Sequence, residues 1–191
     1  MPNGKGKEYY VNGNLKFEGE YLNGYKNGKD KLYFESGDLS FEVEFLYNQP
    51  MKGKCYINKR LEYEGEFLYI RKYNGKGYDE QGNIIYELIN GTGKVNEYLY
   101  DNEKLYFDGE YKDGITNGKG KSYFDNGNLL YEGEYLNGIP NGKGKKYLDN
   151  GKLKYEGEFF DGIYNGYGKE YNINSDLIYG GKYLKGERMN N

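Results

Sequence analysis

From Gly142 to Phe159 the side chains alternate in kind on either side of Asp149-Asn150-Gly151. Gly142, Gly144, Lys146 and Leu148 share one parity before the break, and Leu153, Tyr155, Gly157 and Phe159 share one after it. Lys143 and Lys145 hold the other parity on the first side, Glu156 and Glu158 on the second. A period of two belongs to a strand with two different faces. Asn-Gly between two such segments predicts a hairpin with a type I′ turn, since both residues accept positive φ. With Asn150 and Gly151 as the turn, Leu148 faces Leu153, Lys146 faces Tyr155, Gly144 faces Gly157 and Gly142 faces Phe159. On the other face Lys145 meets Glu156 and Lys143 meets Glu158. A slip of one residue would set Lys145 against Gly157 and scatter the aromatics over both faces, so turn chemistry, ring spacing and charge agree on one register. Exposed ion pairs contribute about 0.2–1 kcal/mol each, which selects the pairing more than it holds it.

The hairpin recurs. Gly120, Gly144 and Gly168 are 24 residues apart, as are Tyr131, Tyr155 and Tyr179, and the unit NGKGKxYxxNGxLxYEGEYLNG opens the chain as well, with Phe17 in place of the tyrosine before EGE. A fixed period of this length marks a repeat array, here of about eight units. In the second unit Asp30 replaces one glycine and Val43 another, and the stretch 87–96 is an irregular seam. The expected fold is therefore all-β: an elongated, single-layer antiparallel sheet of tandem hairpins, forming one array over residues 1–191. A regularly recurring strand glycine weakens a sheet unless something must lie flat over the backbone. Tyr155, Phe159 and their equivalents are the rings expected to cover that glycine floor. Glycine and Asn-Gly interrupt every stretch long enough for a helix.

Composition narrows the function. Aromatic residues make up 18% of the chain, which favours folded structure over disorder despite only 36% hydrophobic residues. The net charge of −3 arises from interleaved acids and bases, so there is no basic footprint for nucleic acid. The lone Cys55 forms no internal disulfide and reads as a small packing residue in a reducing compartment. No apolar run is long enough to span a membrane, and Met1-Pro2-Asn3-Gly4 lacks signal-peptide character, so the expected address is the cytoplasm, with peripheral membrane contact as its variant.

Catalytic chemistry finds little to work with. There is no histidine and only one cysteine, which removes His-based acid–base catalysis, a Cys-His dyad and nitrogen or thiolate zinc sites. Glu132 with Glu134 and Glu156 with Glu158 lie on a solvated, lysine-paired face where nothing separates their pKa values. Gly118-Lys119-Gly120-Lys121-Ser122 fails as a phosphate loop because Ile115 stands where its first glycine is needed. Asp125-Asn126-Gly127-Asn128 lacks the carboxylate spacing of a calcium loop and reads as a turn. Asn90-Gly91-Thr92 matches a glycosylation sequon without a secretory route. No enzyme, cofactor or metal site is expected.

Tyr131-Glu-Gly-Glu-Tyr-Leu-Asn-Gly138, Asn141-Gly142-Lys143-Gly144 and Asp149-Asn150-Gly151 together resemble the MORN repeat, in particular its bacterial-type variant. The resemblance implies a sheet of hairpins used for protein scaffolding or phospholipid contact, and for the bacterial variant an antitoxin partnered with a toxin. On the residues themselves, tyrosine tolerates partial exposure and is favoured at protein contacts. Tyr131, Tyr135, Tyr155 and Phe159 are the expected partner-binding patch. The leading expectation is a non-catalytic scaffold binding another protein through this face, antitoxin-like in its narrower form. The alternative is a peripheral phospholipid-binding module, in which Lys5, Lys7, Lys119, Lys121, Lys143 and Lys145 touch anionic headgroups at about 1 kcal/mol each. Adjacent glutamates cancel much of that attraction.

Overall fold

The alternating segments fold as antiparallel strands throughout the computed structural model, which describes residues 1–99 and 104–190. One nine-stranded sheet comprises β1 (Gly4–Tyr9), β2 (Leu15–Leu22), β3 (Tyr25–Lys26), β4 (Gly28–Tyr33), β5 (Leu39–Leu46), β6 (Gln49–Ile57), β7 (Arg60–Leu68), β8 (Arg71–Tyr78) and β9 (Ile84–Leu88). The other nine-stranded sheet comprises β10 (Gly93–Tyr98), β11 (Leu105–Lys112), β12 (Ile115–Tyr123), β13 (Leu129–Leu136), β14 (Ile139–Tyr147), β15 (Leu153–Phe160), β16 (Ile163–Tyr171), β17 (Leu177–Leu184) and β18 (Glu187–Arg188). Within each sheet, neighbours in sequence are neighbours in space, except that β3 and β4 both lie against β2. The all-β architecture of consecutive hairpins is the one the alternation predicts, and it is divided: residues Met1–Gly93 and Lys94–Asn191 are separate compact units. Within the first unit, Asn90 and Gly91 form a tight turn closed by an Ile89–Thr92 bridge.

The register of the β14–β15 hairpin follows the cross-strand matching from Gly142–Phe159 through Lys146–Tyr155. The turn does not. Only Gly151 has positive φ, at 81°, while Asn150 does not. Gly151 N–H donates to Leu148 O at 2.9 Å and Leu148 N–H to Lys152 O at 2.8 Å. This is a type I turn closed by a glycine bulge, with Tyr147 rather than Leu148 opposite Leu153. Asn150 serves through its side chain, whose Oδ1 accepts Lys152 N–H at 3.0 Å. The two-residue turns with both φ positive lie at the other end of each unit. Asn137 and Gly138 have φ of 51° and 86°, and Asp161 and Gly162 have 49° and 78°.

In the second sheet the aromatic face rests on the glycine floor. The Tyr131 ring lies over Gly133 and Gly144, and Tyr155 over Gly157 and Gly168. Each ring is fixed along its own strand, because the Tyr131 hydroxyl donates to Glu134 O and the Tyr155 hydroxyl to Glu158 O, both at 3.0 Å. Tyr131, Tyr135, Tyr155 and Phe159 then meet edge to face with centroids 5.0–5.1 Å apart. Such pairs contribute about 0.5–1.5 kcal/mol beyond area burial. The opposite face carries the expected cross-strand row Asp108, Lys121, Glu132, Lys145, Glu156 and Lys169. Tyrosine appears there too: Tyr147 and Tyr171 donate hydrogen bonds to Glu132 and Glu156 at 2.7 and 2.8 Å.

In the first sheet the departures Asp30 and Val43 pair with each other inside a regular β4–β5 hairpin. The Asp30 carboxyl lies over Gly19. Cys55 is buried on β6 opposite Phe41 and Tyr63.

Candidate functional site

The aromatic face of the second sheet is not uniformly filled, and the repeat itself explains why. Residues 24 apart occupy equivalent places, so Thr116, Pro140 and Tyr164 are one position read in three repeats. Tyr164 stacks flat on Tyr155, with ring centroids 3.7 Å apart and planes 2° from parallel. Pro140 and Thr116 are too small to do the same over Tyr131 and Phe107. What Tyr164 fills in its own repeat is left open there as a cleft of about 360 Å³, bounded chiefly by Phe107, Thr116, Tyr131, Tyr135, Pro140 and Lys146. That volume suits one or two inserted side chains and lies at the lower end of the range for small ligand sites.

The four residues expected to bind a partner are brought together on this face, but as buried side chains. Their relative exposures are 3% for Tyr131, 8% for Tyr135, 0% for Tyr155 and 4% for Phe159. Tyr131, Tyr135 and Phe159 form cleft walls, whereas Tyr155 lies under Tyr164. A single-layer sheet buries them because each ring is sandwiched between its neighbours and the glycine backbone. The accessible parts of the cleft include half-buried Leu130, Pro140 and Lys146 and exposed Tyr106. Pro140 and Lys146 were not among the residues expected from the sequence. Their signal was present in it, as departures from an otherwise repeated pattern at positions 116/140/164 and 122/146/170.

The polar groups of this face are arranged in pairs. Tyr135 Oη donates to Ser122 Oγ at 3.0 Å, and Tyr183 Oη to Glu170 Oε2 at 3.0 Å. Burial pushes the Tyr135 hydroxyl up in pKa, and burial holds those of Tyr155 and Tyr164 at about 12. All three remain neutral hydrogen-bonding groups at physiological pH. Lys146 stands opposite Tyr131 and Tyr155 in the ladder. Burial first, and the Lys154 charge second, hold its ammonium below the usual lysine range.

The other face of the second sheet forms a broad groove in which glycine backbone is flanked by the Lys and Glu rows. Acids and bases alternate along it, so it offers no field of one sign. Among the described residues no group of His, Cys, Asp and Glu could hold a metal ion, and no helix is long and apolar enough to cross a membrane.

Residues 17–39, 131–152 and 155–176 match the family model of the MORN repeat, and residues 2–23 and 116–137 match that of the MORN repeat variant. Together the matches span about half of the chain and include most of the strands that carry the cleft. Comparison with curated proteins found no match.

Proposed function

This chain belongs to the MORN repeat family, and from that premise we propose that it is a non-catalytic, cytoplasmic scaffold that captures another protein in the aromatic cleft of its second sheet. The supporting observation is the plug: Tyr164 closes one repeat, whereas Pro140 leaves the equivalent place open over Tyr131. An apolar partner side chain entering there stacks on an already ordered ring, so binding costs little reorganisation of the scaffold. Lys146 on the cleft wall then selects the partner by charge.

Pro140→Tyr tests this reading without dismantling the sheet, because it copies the neighbouring repeat. The variant should melt at or above the wild-type temperature and lose at least tenfold in capture of the protein partner recovered from native lysate. Equal capture by a folded Pro140→Tyr chain would remove the cleft from the function.

The narrower form of the proposal, an antitoxin that occludes a toxin, is tested by co-expression with the product of the adjoining reading frame. Rescue of growth by wild type and not by Pro140→Tyr is the expected result. A peripheral phospholipid role has less support, since Lys121 and Lys145 each lie between two acidic side chains in the ladder. It predicts sedimentation with acidic liposomes at low salt that fades as salt rises.

A further inference from the structure

The repeat position occupied by Lys146 carries a different group in each turn of the pattern. Its equivalents are Glu8, Ser122 and Glu170. Glu170 accepts from Tyr183 at 3.0 Å and from Arg188 at 2.7 Å. Glu8 is likewise bonded to Tyr21 and paired with Lys26 at 3.6 Å. Two repeats thus complete the same constellation, a carboxylate held between a tyrosine hydroxyl and a cation, at this point of the aromatic face.

The set that contains Lys146 breaks this constellation, with lysine in place of the carboxylate and Tyr164 in place of the Arg188 cation. Phe159 stands where Tyr183 supplies its hydroxyl one repeat later, so no ring hydroxyl is available to Lys146 from that position. Lys146 has no hydrogen-bond or ion-pair partner among the described residues, and no described carboxylate lines the cleft. Ser122 Oγ is already engaged with Tyr135. A half-buried ammonium facing an aromatic cavity without a carboxylate in its lining is a cation that lacks its counter-ion.

We propose that the cleft recognises an acidic side chain, an Asp or Glu of the partner flanked by apolar residues, and that Lys146 is its counter-ion. This rests on the cleft being the binding site. The partner carboxylate supplies the counter-charge that Lys146 lacks on the cleft wall. The apolar neighbours fill the space over Tyr131 that Tyr164 fills over Tyr155. An unpaired acid gains little from this cleft and an isolated apolar group leaves Lys146 desolvated without compensation, so both features are required together.

The test is selection of a phage-displayed random dodecapeptide library on the full-length protein, in parallel with its Lys146→Gln, Lys146→Glu and Pro140→Tyr variants, each first shown to melt cooperatively with a β-sheet spectrum. Wild type should select peptides with one Asp or Glu between apolar residues. Lys146→Gln should bind those peptides about ten- to hundredfold more weakly, the range for losing one charge-assisted hydrogen bond. Lys146→Glu should replace the acidic preference by Lys or Arg. Peptides excluded by Pro140→Tyr but showing no acidic preference would leave the cleft as binding site and overturn the carboxylate assignment. Peptides bound equally by Pro140→Tyr, or no enrichment on wild type, would overturn both.

Discussion

The glycines of this protein divide according to what stands over them. A Cβ placed on Gly144 would lie 2.6 Å from the Tyr131 ring carbons, and that ring is held on both sides by Tyr135 and Phe159. Gly144→Ala should therefore destabilise the second sheet by about 1–3 kcal/mol, the usual cost of overpacking. Gly180→Ala is its control, because the nearest atom is 3.8 Å away; its effect should stay within about 0.5 kcal/mol of wild type in urea denaturation. Equal losses at both sites would show that backbone freedom, not ring cover, explains the glycines. Asp30 is the exception among floor positions. Its Oδ1 accepts Glu20 N–H at 2.8 Å, but its Oδ2 is buried without a partner. Burial, opposed by that backbone hydrogen bond, raises its pKa above the ordinary carboxyl value. The folded state thus binds this proton more tightly than the unfolded state, so its stabilising contribution is present below the unfolded pKa and lost as pH rises through the folded one. Asp30→Asn, which cannot ionise, should gain stability relative to wild type between pH 3 and pH 7. A pH-independent difference in their urea midpoints would contradict the assignment.

At the scale of single elements, the strands were legible and the turns only partly so. Alternation sets which residues share a face, and Lys145–Glu156 and Gly144–Gly157 pair as the alternation requires. The turn at Asp149-Asn150-Gly151 departs from the type I′ geometry that its sequence predicts, because Asn-Gly suits either a type I′ turn or a type I turn with a glycine bulge. The choice depends on how many residues the flanking strands leave unpaired. The two-residue positive-φ turns fall instead at Asn137-Gly138 and its equivalents, and in the first sheet some have no glycine at all. Tyr69 and Ile70 hold φ of 49° and 66°. A β-branched residue in that region costs roughly 1 kcal/mol more than glycine. Ile70→Gly, at a side chain 74% exposed, should therefore stabilise the first sheet by about 1 kcal/mol in thermal or urea unfolding. No gain would mean that Ile70 makes compensating contacts on the surface.

On the scale of the whole molecule, each sheet is a ladder in which a strand contacts chiefly the strands beside it. Stability in such a ladder is a sum over neighbours, so its ends open first. In the second sheet, amide hydrogen exchange should be slowest in β13–β15 and fastest toward β17–β18; uniform protection would instead indicate one cooperative block. The strand alternation, the charge register and the coincidence of Tyr131 and Tyr155 with glycine follow from the order of residues alone, because a two-residue side-chain period and a 24-residue repeat are local and countable. Tertiary structure alone decided which of those rings are covered, where Tyr164 fills and Pro140 leaves a gap, and that Lys146 faces that gap unpaired. Those outcomes depend on side-chain volumes brought together from different strands, which no pattern along one strand records.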